Sequence, residues 1–183
     1  IRDRNIAADY YTLNFVPEAV NTIAYATSFG QSSLPNDSAK KASFFLKKIK
    51  HIGVREESGQ KLVKQLANRD VPVVCDPTLL FTGEEWMGIQ QQEPLLKEKY
   101  ILCYFLGNNP PHRDFASRLK KETGCKIVAL THLDEFVKSD EGYADETPYD
   151  IDPADFLNLI RNAEYVCTDS FHCSVFSILY KLS

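Results

Sequence analysis

The chain has 183 residues, 44% of them hydrophobic and 25% charged, and its formal net charge is −4. Such a composition can bury a core and is ordinary for a globular protein. The acidic balance argues against a general nucleic-acid-binding protein, which normally presents a basic face. No apolar run approaches the length of about 20 residues that spans a bilayer, and no signal peptide is visible. Five cysteines without a CxxC pair favour a soluble protein of a reducing compartment.

The first half of the sequence predicts strands and helices in alternation. Short apolar runs predict three buried strands, at 22–30, 51–55 and 71–75. Segments between them carry apolar residues at helical spacing and predict two helices, at 37–50 and 56–67. A short apolar segment, 78–81, leads into a turn that begins at Thr82 or Gly83.

The polar segment 87–98 contains Glu93-Pro94, and we place a domain boundary within it, dividing the chain into 1–90 and 91–183. The second half alternates again. It predicts strands at 100–106, 126–130 and 164–168, and helices at 112–123, 153–162 and from His172 onward. The long polar segment 131–148 predicts an exposed loop with a short helical turn.

This alternation predicts an α/β fold with parallel sheets, because right-handed helical crossovers join parallel strands. The two halves are expected to be Rossmann-like units, and such sheets bind ligands beyond the carboxyl ends of their strands. Residues that follow the predicted strands are therefore the candidates for a functional site. The chain has no initiator methionine and stops within a predicted helix, so we expect a fragment of a longer protein.

The strongest candidate is the strand-to-helix turn Thr168-Asp169-Ser170-Phe171-His172. The first N–H groups of a helix and its dipole favour an anion, and the His172 imidazole can exchange a proton near neutral pH. The alternative is that Asp169 or Ser170 only caps the helix and that His172 is a hydrogen-bonded core residue.

Arg55 and Asp76 follow predicted strands in the first half. The Arg55 guanidinium could hold a carboxylate or phosphate through two parallel hydrogen bonds, or it could only form a salt bridge with Glu56, Glu57 or Asp76. Asp76 could orient Arg55 or contact a sugar hydroxyl. Asp-Pro is also a common chain-turning pair, and we favour this structural role for Asp76.

The loop 107–111 is a further candidate, since Gly107 would let the backbone approach a ligand. It contains neither a GxGxxG fingerprint nor a Walker loop. His112 and Arg113, at the start of the next helix, are predicted to be solvated. The acidic run 140–145 has no calcium-loop pattern and is also predicted to be solvated, and no metal site is expected.

Five segments in this order resemble the polysaccharide pyruvyl transferase family: DYYTLNFVP (9–17), IAYATSFG (23–30), GVREESG (53–59), DPTLL (76–80) and TDSFH (168–172). The resemblance implies a glycosyltransferase-B-like fold, in which two Rossmann-like domains surround a cleft. It implies transfer of pyruvate, as a ketal, from phosphoenolpyruvate to a sugar of a cell-surface polysaccharide or its lipid-linked precursor. No cofactor other than this donor, no metal and no nucleic-acid partner is implied. The expected location is cytoplasmic, with peripheral association at the inner face of the membrane, through the acceptor, as a further option.

By position, the resemblance makes Arg55 the residue that grips the donor and His172 the proton carrier. Asp169 would orient His172 or bind a sugar hydroxyl, and the remaining substrate-binding candidates are Ser170, Asp76 and Gly107. Many members have an arginine two residues before the histidine, where this chain has Ser170. Two alternatives remain, a nucleotide-sugar glycosyltransferase of the same fold and a catalytically silent glycan-binding fragment.

Overall fold

The structure is a computed structural model that describes residues 12–133 and 136–181. It contains two compact units, Ile1–Leu80 and Phe81–Ser183, each built from helices and parallel strands. The predicted α/β class with parallel sheets is confirmed. The glycosyltransferase-B-like arrangement and the assignment of 1–90 and 91–183 to two Rossmann-like domains stay predictions. Residues 9–11 of the first resembling segment lie outside the described residues.

In the first unit, strands β1 (Ile23–Thr27) and β2 (His51–Val54) pair in parallel. Helix α1 (Asn36–Lys48) joins them, and helix α2 (Glu57–Ala67) follows β2, close to the predicted bounds. The strand predicted at 22–30 ends early, because the backbone of Ala26 has φ +53° and the pairing register shifts there. The core consists of buried apolar side chains from α1, β2, α2 and the segment after α2, and Ala24 of β1 packs against them. The buried members include Ala42, Leu46, Ile52, Val54, Val63 and Val71.

The predicted third strand at 71–75 is wrong, because only an isolated bridge joins Val73 to Val54. The Val54 N–H donates to the Pro72 carbonyl at 3.1 Å, and the Val74 N–H donates to the Val54 carbonyl at 2.8 Å. Pro72 has no N–H of its own, which limits the ladder at this position. The chain then turns at Asp76 into a 3₁₀ helix, Pro77–Leu80.

In the second unit, three parallel strands form one sheet in the order β4-β3-β5. Their bounds are Tyr100–Tyr104 for β3, Lys126–Leu130 for β4 and Tyr165–Thr168 for β5. The described part of this unit also contains four helices, α3 (Gly83–Met87), α4 (Pro110–Thr123), α5 (Pro153–Asn162) and α6 (Phe171–Leu179). The predicted turn in the loop 131–148 is a 3₁₀ helix, Lys138–Asp140.

Helices cover both faces of this sheet. Alternate residues of β3 point to opposite faces: Leu102 packs with side chains of α5 and α6, whereas Cys103 packs with Ala116 of α4. Because both faces are buried, the strands are almost continuously apolar, as parallel sheets require.

The segment before β3 packs within the second unit. Asn158 of α5 is fully buried and donates hydrogen bonds to the carbonyls of Gln91 and Glu93, at 3.1 and 2.9 Å. Its Oδ1 atom accepts from the Leu95 N–H at 3.0 Å. One amide side chain therefore holds the polar segment on the helix. In the described ranges, every helix is too short or too polar to cross a membrane.

Candidate active site

The three strands of the second sheet end in line, since Tyr104 pairs with Leu130 on one side and with Thr168 on the other. The central strand β3 continues into α4 on one face of the sheet, and β5 continues into α6 on the other. A sheet with this order has a topological switch point between β3 and β5, where α/β proteins bind ligands. The loop 107–111 and the turn 168–172 both lie there.

Asp169 connects the two chain segments at the switch point. Its Oδ1 atom accepts a hydrogen bond from the Leu106 N–H at 2.7 Å, and its Oδ2 atom lies 3.5 Å from His112 Nδ1. The His112 side chain is 42% exposed, so its predicted solvation holds only in part. The predicted roles of Asp169, orienting His172 or binding a sugar hydroxyl, stay predictions.

Ser170 is the N-cap of α6, and its hydroxyl accepts from the Cys173 N–H at 3.5 Å. It is buried, and its own N–H donates to the Thr168 hydroxyl at 3.0 Å. The capping alternative therefore holds for Ser170. His172 is exposed in the first turn of α6, with its ring 5.2 Å from that of Phe171, and is not a core residue.

Gly107 lies in a loop that leaves little room for a side chain. A Cβ atom at this position would be 3.0 Å from Asn109 Nδ2 and 3.8 Å from Asp169 Oδ2. The Gly107 carbonyl accepts a hydrogen bond from Arg113 Nη1 at 2.7 Å. The glycine thus allows the loop to fold against its own side chains beside Asp169, and its contact with a ligand stays a prediction.

The predicted solvation of Arg113 and Asp140 is wrong, because the two form an ion pair that is nearly buried. The Arg113 side chain is only 4% exposed, and its Nη2 and Nε atoms lie 2.5 and 3.2 Å from Asp140 Oδ1. Asp140 Oδ2 lies 2.7 Å from His132 Nδ1 and accepts from the His132 N–H at 3.3 Å. No local pattern marks this group, because Asp140 is 27 residues from Arg113 and 8 from His132.

This arrangement shifts the protonation of both titratable partners. The hydrogen bond to Asp140 raises the pKa of His132 and outweighs burial, which lowers it. Burial alone would raise the pKa of Asp140, but the hydrogen bonds from His132 and Arg113 prevail and lower that pKa. The carboxylate therefore stays ionised and holds a proton on the Nδ1 side of the imidazole.

A cavity of about 520 Å³ opens beside His132, beyond the carboxyl ends of β3 and β4. Its wall contains aromatic side chains from three different chain segments, Tyr104, Tyr149 and Phe156. Leu106 also lines it, so the cavity adjoins the residue whose N–H is bonded to Asp169.

In the first unit, Arg55 and Asp76 meet at the carboxyl end of β2. Arg55 Nη1 lies 3.0 Å from Asp76 Oδ2, and the Asp76 side chain is 3% exposed while that of Arg55 is 28% exposed. Asp76 Oδ1 accepts from the N–H and the hydroxyl of Thr78, at 3.0 and 2.7 Å. Asp76 thus both turns the chain and orients the guanidinium, while ligand binding by either residue stays a prediction.

Close packing explains the two glycines of the segment 53–59. Glu56 Oε1 accepts from the Phe29 N–H at 2.8 Å and so connects the chain after β1 to the start of α2. A Cβ atom at Gly59 would lie 3.1 Å from that oxygen, and one at Gly53 would lie 3.2 Å from Val74. Both contacts are tight, so larger residues would displace the side chains that organise this end of the sheet.

A comparison with known protein families gives one match, to the polysaccharide pyruvyl transferases, over residues 2–181. The chain belongs to this family. Its members are transferases. Of the segments that carry the resemblance, 53–59 and 168–172 begin at the carboxyl ends of strands, 23–30 contains β1 and the loop after it, and 76–80 is the turn at Asp76 with its 3₁₀ helix. No significant match exists among curated proteins or among solved structures.

Proposed function

We propose that this pyruvyl transferase uses phosphoenolpyruvate as its donor and forms a cyclic ketal on a sugar of a cell-surface polysaccharide or of its lipid-linked precursor. The observation that carries the proposal is Arg55, a partly exposed cation fixed by a buried carboxylate at a strand end. We place the reaction in the cytoplasm, at the inner face of the membrane when the acceptor is lipid-linked.

The donor is an anion with a carboxylate and a phosphate, and a guanidinium binds either group with two parallel hydrogen bonds. The Asp76 contact restricts the side-chain freedom of Arg55 before the donor arrives, which reduces the entropy lost on binding. Thr78 in turn restricts Asp76, so two residues support one cationic group.

The second part of the proposal concerns His172. It is exposed in the first turn of α6, where the positive end of the helix dipole favours an anionic group. Ser170 stands where many members carry an arginine, and here it is a buried helix cap. The second anion-binding group is therefore missing or comes from another part of the protein.

The reaction balances with protons alone. A general acid, for which we propose His172, protonates the methylene carbon of phosphoenolpyruvate and leaves a cationic centre at C2. One sugar hydroxyl attacks C2 and loses its proton, the C2–phosphate bond breaks, and a second hydroxyl closes the ketal and loses its proton. One of these two protons replaces the one used on the methyl group, and the other leaves with phosphate. Each well-placed proton transfer contributes about 10²–10⁴-fold to the rate.

Calorimetric titration with phosphoenolpyruvate tests the donor site. The Arg55→Ala variant should bind roughly 10- to 100-fold more weakly, because it loses charge-assisted hydrogen bonds. Arg55→Lys should recover only part of the affinity, since an ammonium lacks the planar fork. Lys61→Ala removes an exposed cation of α2 and is the matched control. Equal affinities for all four proteins would reject Arg55 as the donor site.

Turnover measurements test the role of His172, and thermal unfolding tests the identity of the donor. His172→Ala should release phosphate from phosphoenolpyruvate at least about 100-fold more slowly, whereas His51→Ala, on an exposed position of β2, should not. Thermal unfolding with phosphoenolpyruvate or with nucleotide sugars identifies the donor, because a ligand of the folded state raises the midpoint. Stabilisation by nucleotide sugars alone would favour the glycosyltransferase alternative.

A further inference from the structure

His132 has the geometry of a proton acceptor that no sequence motif marks. Its Nδ1 side faces the Asp140 carboxylate at 2.7 Å, and the carboxylate is itself held by Arg113. Its Nε2 atom is buried and has no well-aligned hydrogen-bond partner within the described part of the chain, and the Leu106 backbone beside the imidazole contributes to its raised pKa. The side chain is 11% exposed and forms part of the wall of the 520 Å³ cavity. A buried nitrogen without a well-aligned partner is a candidate to receive a hydrogen bond from a ligand.

The cavity wall suits a neutral, ring-shaped molecule with one apolar face. The rings of Tyr104 and Phe156 pack edge to face with centroids 5.3 Å apart, which makes this part of the wall rigid. Burial raises the pKa of Tyr104, so its hydroxyl stays neutral and can donate a hydrogen bond. Tyr149, 79% exposed, offers a further aromatic face.

The size of the cavity and the charge of its wall further limit which molecule it can bind. Pockets of about 300–1,000 Å³ hold small molecules, and this cavity falls within that range. Among its described lining residues there is no lysine or arginine, and Asp152 contributes a carboxylate. An anionic donor such as phosphoenolpyruvate is therefore a poor fit. A pyranose ring matches the wall, because its C–H face can stack on an aromatic ring while its hydroxyls reach polar atoms.

We propose that this cavity binds one pyranose ring of the polysaccharide acceptor and that His132 Nε2 contacts a ring hydroxyl. The identity of the ring as an acceptor rests on the proposed function. Leu106 supports the placement, because it lines the cavity while its N–H is bonded to Asp169 of the turn 168–172. The sugar site thus borders the strand-to-helix turn that carries His172.

In pyruvyl transfer, this position gives His132 a defined step. The contacted hydroxyl oxygen forms a bond to C2 of the pyruvyl group, its O–H bond breaks, and the proton passes to Nε2. The Nδ1–H remains hydrogen-bonded to Asp140, whose negative charge stabilises the imidazolium that results. His132 is then the base of the addition, and the acid that protonates the methylene carbon is a separate group.

Saturation-transfer NMR tests the sugar site without the donor. The probes are methyl glucoside, methyl galactoside and methyl mannoside, added singly to the chain. At least one should receive saturation, and Tyr149→Ala should weaken its binding at least fivefold. Phe136→Ala removes a similarly exposed aromatic ring that is not among the lining residues, and it should leave the signal unchanged. The proposal is overturned if no pyranoside binds, or if both variants lose the signal equally.

Acceptor-dependent phosphate release tests the proton transfer, with the pyranoside that binds. His132→Gln should lower kcat at least about 100-fold and leave the affinity for phosphoenolpyruvate unchanged, whereas His51→Gln should retain kcat. A kcat within threefold of the parent chain would remove His132 from the reaction. If His132→Gln does not fold, the Tyr149→Ala and Phe136→Ala comparison decides the site. If a pyranoside binds but no phosphate is released, the proposed function is rejected and the sugar site stands. If phosphoenolpyruvate binds but no pyranoside does, the sugar site is rejected and the proposed function stands.

Discussion

The buried ion pair of Arg113 and Asp140 allows a quantitative prediction about the second unit. Asp140→Asn keeps the shape of the side chain but removes the charge that faces a guanidinium exposed by only 4%. Removing one member of a buried pair costs about 3–5 kcal/mol, because the other charge stays buried without compensation. Arg113 also donates to the carbonyls of Gly107 and Asn109, at 2.7 and 3.3 Å, which relieves part of this cost. We therefore expect a loss of about 2–4 kcal/mol in the free energy of unfolding.

Urea denaturation followed by tryptophan fluorescence measures this loss of unfolding free energy in the second unit. Trp86 is the single tryptophan, and its ring packs 5.3 Å from that of Phe176. The double variant with Arg113→Met should lose less than the two single variants together, because it removes the uncompensated charge. Glu164→Gln disrupts an exposed pair with Lys99 and should leave the midpoint unchanged within error. A loss below about 1 kcal/mol for Asp140→Asn, or strict additivity in the double variant, would refute the reasoning.

Two further predictions concern the same unit. Gly83→Ala should destabilise it by about 1–3 kcal/mol, because the new Cβ would overlap the carbonyl oxygen of Leu179 and force α3 away from α6; an unchanged Trp86 unfolding midpoint would contradict this packing. The stability advantage of the parent chain over His132→Gln should depend on pH. The pKa of His132 is raised in the folded state, so the advantage is present below the unfolded value of about 6.5 and is lost as pH rises through the folded value. The difference in unfolding free energy between the parent chain and His132→Gln should therefore be larger at about pH 5.5 than at about pH 9. An equal difference at both pH values would show that the pair of His132 with Asp140 is not formed.

Local sequence patterns were sufficient to predict several of the strands and helices. The run 100–106 is apolar at almost every position, and it is the central strand, buried on both faces. The helical spacing in 56–67 likewise marks α2, whose apolar stripe faces the core. The run 71–75 has the same apolar character but fails as a strand, because Pro72 cannot donate to the ladder. Hydrophobicity identifies a segment that can be buried, whereas ladder formation depends on the donors that the segment carries.

The parts of the site that escaped sequence reasoning depend on contacts between distant segments. His132 and Asp140 lie in a loop whose polar composition predicts exposure, yet the 3₁₀ turn Lys138–Asp140 packs on α4 and removes both from water. Arg113 has the sequence context of an ordinary helix start, and only its partner makes it a buried cation. A charged residue is buried only where tertiary structure supplies an opposite charge, so periodicity cannot reveal it.

The geometry of Asp169 favours positioning over proton transfer within the candidate site. One carboxylate oxygen accepts a backbone N–H from Leu106 at 2.7 Å, and the other lies near the His112 imidazole. Both carboxylate oxygens are therefore engaged with the chain segments that Asp169 connects. The same bonds join the end of β5 to the loop after β3, and Leu106 in turn lines the cavity proposed for the sugar. A loss of this carboxylate would therefore act on the sugar site and on the turn that carries His172 together, because both depend on where Leu106 is held.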